Sequence, residues 1–281
     1  MNKMIGVFDS GFGGLTIFKE LVKQLPEYDY IYLGDSARAP YGNRSQELIF
    51  KFTKQAVEYL FKPLHQIFGG GKQGCELIIL ACNTASAEAL RRIQQEWLPK
   101  NFPQKRVLGV IRPTVEEAVK MTKNNKIGVI GTEATISSRS YIREIQNLNP
   151  KIKIFQRACP LLVPIIEAGE HNQEGIDLIL KKYLKPLIKK DIDTLILGCT
   201  HYPIIKDKIK KITGQIQLIS QEEIIGPKLI DYLKRHPEIE KKLGKFKKRI
   251  FLTTDLTDKF QKLGSQFFGK KIFPKVIQLE K

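Results

Sequence analysis

Short apolar runs alternate along the chain with longer stretches of helical periodicity. The runs fall at residues 4–8, 30–33, 78–80, 107–111, 126–130, 152–155, 195–197, 216–219 and 251–253. Most are unbroken aliphatic stretches closed by glycine, serine, threonine or aspartate, the pattern of parallel strands buried on both faces. Between them, apolar residues recur at helical spacing over 15–25, 46–61, 85–97, 115–121, 140–148, 164–167, 174–188, 202–212, 227–235 and 257–268. Strand and helix in alternation predict an α/β protein with mostly parallel sheets flanked by helices. The glycine run Gly69-Gly70-Gly71 reads as a surface connection.

One pattern occurs twice. Gly6-Val7-Phe8-Asp9-Ser10 and Gly128-Val129-Ile130-Gly131-Thr132 are analogous strand-turn units. Each is followed at comparable separation by an apolar run ending in cysteine, Ile78-Ile79-Leu80-Ala81-Cys82 and Leu195-Ile196-Leu197-Gly198-Cys199. An internal repeat of this kind predicts two similar lobes with a ligand cleft between them. The repeat runs out near Ile212, so the tail is expected to return to the first lobe. Lobe one is then 1–109 plus 217–281, and lobe two is 110–216.

Composition narrows the class. The chain has 281 residues, enough for a sizeable core, with four cysteines and four histidines. No CxxC and no zinc-ligand spacing is present, and the expectation is reduced thiols in a cytoplasmic protein with no metal site. No apolar run approaches the ~20 residues of a membrane span. The net charge of +18 raises nucleic-acid binding. However, the excess is scattered, and its denser stretches (181–182, 206–211, 241–249) alternate lysine with apolar residues as solvated helix faces do. Nucleic acid is therefore not the expected partner, while an anionic small substrate would gain from a positive field.

The candidate chemistry lies just past the two cysteine strands, where open parallel sheets bind ligands. Cys82 is followed by Asn83 and Thr84, and Cys199 by Thr200 and His201. Cys75 and Cys159 lack such neighbours and read as packing residues. Nucleophilic attack by one cysteine would leave the other unexplained, and a disulfide couple lacks its usual motif. Proton transfer uses both: exchanging a stereocentre needs a base on one face and an acid on the other, with roles swapped in reverse. Asp9, ending the first strand, should then lie beside Cys82, and His201 near Cys199. A turn-capping Asp9 and a helix-starting His201 are the structural alternatives. The turn Gly11-Phe12-Gly13-Gly14 opens a helix and is a candidate anion site, without the dinucleotide-binding spacing.

These residues resemble the bacterial glutamate racemases, within the cofactor-independent aspartate/glutamate racemase superfamily. The matching stretches are GVFDSGFGGLT (6–16), YLGDSARAPYG (32–42), ACNTASA (81–87), VIGTEATI (129–136), LVPIIE (162–167) and LGCTHYP (197–203). The resemblance implies interconversion of L- and D-glutamate without pyridoxal phosphate, supplying D-glutamate for peptidoglycan, by a protein expected to be a homodimer. It makes Cys82 and Cys199 the two acid/base residues, serving D- and L-glutamate respectively, with Asp9, Glu167 and His201 in support. It assigns substrate binding to Asp9, Ser10, Pro40, Tyr41, Gly42, Asn83, Thr84, Thr132, Thr200 and His201. The chain departs from the family pattern at Arg112, Thr114 and Ala134, and in a tail turn, Thr254-Asp255, that lacks its usual glycine. A racemase of the same superfamily acting on aspartate or another amino acid, or a basic nucleic-acid-binding or regulatory protein on the same scaffold, are the alternative readings.

Overall fold

The computed structural model describes residues 3–64, 67 and 74–279, so the glycine run at 69–71 lies outside the described residues. Two parallel sheets organise the rest. The first has six strands, β1 (Met4–Asp9), β2 (Tyr30–Gly34), β3 (Cys75–Leu80), β4 (Arg106–Gly109), β9 (Arg249–Thr253) and β10 (Lys275–Val276), in the order β10-β9-β2-β1-β3-β4. The second has four, β5 (Lys126–Gly131), β6 (Lys153–Ala158), β7 (Thr194–Gly198) and β8 (Gln217–Ile219), in the order β6-β5-β7-β8. Every ladder is parallel. Helices make the crossovers such ladders require: α1 (Leu15–Gln24), α2 (Gln46–Phe61), α3 (Asn83–Glu88, continued by further helical turns to Asn101), α4 (Ile111–Met121), α5 (Glu133–Ser137), α6 (Ser140–Leu148), α7 (Leu162–Glu167), α8 (Gly175–Ile188), α9 (Lys206–Thr213), α10 (Gln221–Arg235) and α11 (Asp258–Phe268).

Strand order β2-β1-β3-β4 in the first sheet recurs as β6-β5-β7-β8 in the second, so the duplication read from the sequence is a duplication of topology. It also corrects two expectations. The second unit ends with β8, the counterpart of β4, and not near Ile212. Because Thr194, Leu195 and Ile196 pair with Gln217, Leu218 and Ile219, residues 217–219 belong to the second sheet and not to lobe one.

The helices that follow the two matching edge strands pack across the lobes. After β4 comes α4, which packs on α6 and β7 of the second unit; after β8 comes α10, which packs on α1 of the first. The two also touch each other. The chain then returns as β9, paired with β2. Helix α4 starts at Ile111, before the expected 115, because Pro113 falls in its first turn, where a missing N–H costs nothing. Helix α10 starts at Gln221 and carries Pro227 in its interior, where the sequence reading began the helix. Its Gly226 packs against the Gln24 side chain of α1, leaving no room for a Cβ. The two-residue strand β10 and the short helix α5 have too little pattern to be read in advance.

Both faces of the first sheet are buried: Ile5 and Val7 belong to one apolar cluster, Met4 and Phe8 to another. The cluster holding Ile5 and Val7 also holds Leu195 and Leu197 of β7, so one core is continuous between the sheets. Lysines crowded near α9 have local partners, Lys206 with Glu223, Lys208 with Asp177, and Lys210 with the Ile216 carbonyl. No helix of the described residues is long and apolar enough to cross a membrane.

Candidate active site

Cys82 and Cys199 each lie just past the carboxyl end of a central strand, β3 and β7. Both are buried, at 5% and 6% exposure. The Cys82 thiol donates to Ser10 Oγ at 3.5 Å, and its sulfur accepts the Ala85 N–H at 3.4 Å as the cap of α3. Burial, and then the neighbouring Asp9 carboxylate, push its pKa up to about 12, against the opposing pull of Ser10 and the Ala85 N–H. It rests as a thiol. Cys199 has a different neighbour, His201 Nδ1 at 3.8 Å. The other ring nitrogen, Nε2, lies 3.1 Å from Glu167 Oε1. Burial alone would push the imidazole down, but hydrogen bonds and charge from Cys199 and Glu167 outweigh it and raise His201 to about 10. Cys199 therefore has an imidazolium beside it.

Asp9 is fully buried at the end of β1, whose register with β3 sets Phe8 against Leu80. Its Oδ2 accepts the Gly11 N–H at 2.9 Å, and its Oδ1 has no partner. The turn-capping and functional readings of Asp9 thus use different oxygens. Burial raises its pKa, partly offset by His201. His201 likewise does both things expected of it, since it also precedes the 3-10 turn Tyr202–Ile205.

The glycine-rich turn, read as a candidate anion site, is also packed closely by its neighbours. A Cβ on Gly13 would stand 2.5 Å from His201 Cε1 and from Thr200 Oγ1, and one on Gly14 would stand 2.6 Å from Asp9 Cβ. Position 13 is glycine because the second unit's Thr200-His201 packs directly onto it. Thr16 Oγ1 ties the contact with a 3.2 Å bond to the Thr200 carbonyl. Phe12 and Phe267 both pack against the His201 ring, with centroids 5.7 and 5.8 Å away. Helix α11 of the returning tail therefore reaches the site.

Polar contacts cross the seam at two more places. Thr84 Oγ1 meets Thr132 Oγ1 at 3.0 Å and Thr135 Oγ1 at 3.2 Å. Asn83 Oδ1 accepts from Tyr141 Oη at 2.6 Å and Gln221 Nε2 at 3.4 Å, while Asn83 Nδ2 is buried with no partner. An unmatched buried polar atom costs about 1–3 kcal/mol. Two of them, an acceptor on Asp9 and a donor on Asn83, flank the Cys82 strand end. An acceptor and a donor are thus left open beside the Cys82 strand end.

The loop after β2 closes over the same region. Buried Asp35 accepts from Arg38 Nε, Tyr41 Oη and Thr254 Oγ1, which pins the loop to the tail. Ala39–Pro40 is a cis peptide, and Pro40 is exposed. Tyr41 spends its hydroxyl on Asp35, so its backbone is the part left to meet a ligand. Gly42 packs on Thr132, and its carbonyl accepts the Ala134 N–H at 2.9 Å. An open cleft of about 490 Å³ lies beside this seam, lined by Gly42, Arg44, Glu88, Glu133, Ala134 and Arg143 among others.

Cys75 and Cys159, read as packing residues, are buried with pKa values pushed up to about 12. Sequence reasoning missed Phe12, Asp35, Tyr141, Gln221 and Phe267. For Gln221 a signal existed: it opens the helix after β8, at the place where the matching helix after β4 opens with Ile111.

Comparison with known proteins agrees with this geometry. Residues 5–224 match the Asp/Glu/hydantoin racemase family. A glutamate racemase from Sulfurihydrogenibium sp. (strain YO3AOP1) is 42% identical over 265 residues, covering 94% of each chain. Among solved structures, a glutamate racemase isoform from Bacillus anthracis superposes with a TM-score of 0.86 at 35% identity, and the Francisella tularensis glutamate racemase in complex with D-glutamate superposes with 0.86 at 37%, each covering 99% of this chain and 98% of the other. With two buried thiols at matching strand ends of a repeated parallel sheet, and relatives that match it along nearly its whole length, this chain belongs to the Asp/Glu/hydantoin racemase family.

Proposed function

We propose that the protein interconverts L- and D-glutamate by proton transfer between the α-carbon and two cysteines. The observation that carries this reading is the pair of buried thiols at matching strand ends, with different electrostatic neighbours. In the L-to-D direction, Cys199, beside the His201 imidazolium and Glu167, takes the α-proton; its S–H bond forms as the C–H bond breaks. Cys82, resting as a thiol next to Asp9, gives its proton to the opposite face. The reverse reaction starts with the protons exchanged between the two sulfurs, so no net proton is consumed. Assigning Cys199 to the L-enantiomer follows the family resemblance.

The unpaired Asp9 Oδ1 takes the substrate ammonium and the Asn83 Nδ2 a carboxylate. Ser10, Thr84, Thr132 and Thr200 supply hydroxyls around them, and the backbone of Pro40, Tyr41 and Gly42 forms one wall. A buried site sharpens each of these interactions, since little water screens them. The protein supplies D-glutamate for peptidoglycan in the cytoplasm, and it works as a homodimer, which sedimentation of the purified protein would test.

The deciding experiment incubates purified protein with L- or D-glutamate in heavy water, without added pyridoxal phosphate. Both enantiomers should approach a racemate carrying deuterium at the α-carbon. Activity confined to aspartate, or no exchange at all, would overturn the assignment.

A further inference from the structure

Asn83, Tyr141 and Gln221 form a closed triangle of buried polar groups contributed by three elements, α3 of the first unit, α6 of the second, and α10, which joins them. The Tyr141 hydroxyl donates to Asn83 Oδ1 at 2.6 Å. Gln221 Nε2 donates to Tyr141 Oη at 3.1 Å and to Asn83 Oδ1 at 3.4 Å. All three residues are essentially inaccessible, at 2%, 0% and 1% exposure.

Donor accounting ties the turn of the Asn83 amide to that of Gln221, whose Oε1 is likewise buried without a partner. An amide oxygen has two acceptor sites and an amide nitrogen two donors. Here both oxygen sites are taken, one by an O–H and one by an N–H. Turning the Asn83 amide over with Gln221 as it stands would bring its NH₂ against the NH₂ of Gln221, donor facing donor. The Nδ2 is thereby left facing away from the triangle, buried and without a partner.

We propose that Tyr141 and Gln221 are positioning residues that hold the Asn83 amide as a hydrogen-bond donor toward a carboxylate of the substrate. Neither residue touches the reacting atoms. Their role is to set the sign of the dipole that Asn83 presents, and, because the three residues come from three elements meeting at the lobe seam, to present it only when the lobes are docked. This rests on the reading of Asn83 as a substrate ligand in a glutamate racemase.

The test is a set of steady-state measurements on the full-length protein in both directions. Tyr141→Phe keeps the shape and removes the donor, and should raise KM about tenfold while kcat changes by less than about threefold, the size expected for one hydrogen bond to a charged group. Gln221→Glu keeps the shape and inverts the polarity. The carboxylate accepts from Tyr141 and Asn83, which turns the Asn83 oxygen toward the substrate, and KM should rise further than in Gln221→Met. Asn83→Ala should raise KM by itself, and adding Tyr141→Phe to it should change KM by less than about twofold, since coupled residues are not additive. Thermal melts of Tyr141→Phe and Gln221→Met exclude unfolding as the cause.

If Asn83→Ala raises KM but Tyr141→Phe does not, or if the two effects multiply, the positioning role is overturned and the functional reading stands. Wild-type protein inert toward glutamate would overturn the functional reading and this inference with it.

Discussion

Gly13 of the first unit lies so close to His201 of the second that a Cβ atom on it would stand 2.5 Å from the imidazole Cε1. Real Cβ atoms do not sit at that distance, so either the turn or the imidazole must move when a side chain is added. The ring cannot move freely. Phe12 and Phe267 pack against it, Glu167 holds Nε2, and Cys199 faces Nδ1. The position of the imidazolium beside Cys199 is thus set from both lobes.

Gly13→Ala should therefore lower kcat/KM by about 10²-fold through a displacement on the order of 1 Å, with the fold retained. Gly11→Ala is the control: nothing lies within 4 Å of its added Cβ, and its N–H still reaches Asp9. Steady-state kinetics and circular dichroism on both variants check this. Equal activity of the two would show that the contact does not set His201.

Cys82→Ser and Cys199→Ser should each lose about 10³-fold or more of turnover in both directions, since each removes one of the two proton carriers, and acid–base residues contribute on that scale. Both sites are buried and serine is nearly isosteric, so melting temperatures should shift little. Near-normal conversion by either variant would rule out the two-base scheme.

Much of this site was legible in advance because the signals were local. Cys82 and Cys199 each end an apolar run, and the run predicts a strand whose end is a ligand position. Pairing Asp9 with Cys82 needed only the adjacency of strands from one βαβ unit. The groups that were missed act through contacts between residues distant in sequence. Phe267 reaches His201 only because β9 pairs with β2 and brings α11 back. Tyr141 and Gln221 reach Asn83 only because α6 and α10 meet α3 at the lobe seam. Nothing in residues 217–219 distinguishes a strand of one sheet from a strand of the other. Strand order settles it, and order is a tertiary property.

Stability should depend on pH through His201. Its folded pKa, about 10, lies above the ordinary value of 6.5, so the folded state binds the proton more tightly than the unfolded chain. The resulting stabilisation is complete below about pH 6.5 and is lost as pH rises toward 10. Denaturant melts of wild type and His201→Asn across that window should converge as the pH increases. Parallel curves would mean that His201 binds its proton no more tightly when folded.

Arg112, where the chain departs from the family pattern, bonds Glu116 Oε1 at 3.1 Å and Glu144 Oε2 at 3.0 Å, while Lys228 of α10 bonds Glu116 Oε2 at 2.6 Å. The network joins α4, α6 and α10 on one side of the lobe seam. Arg112 is 48% exposed and its partners about a third, so solvent screens each pair and the contribution is about 1 kcal/mol or less. Arg112→Ala should lower the melting temperature by no more than about 2–4 °C. The difference from wild type should shrink in 1 M salt, where the screening length falls to about 3 Å. KM for glutamate should stay within about twofold, because Gln221, at the start of α10, is held by buried bonds to Tyr141 and Asn83 and not by this exposed network. A KM increase matching that of Tyr141→Phe would place control of the seam in the ion pairs instead.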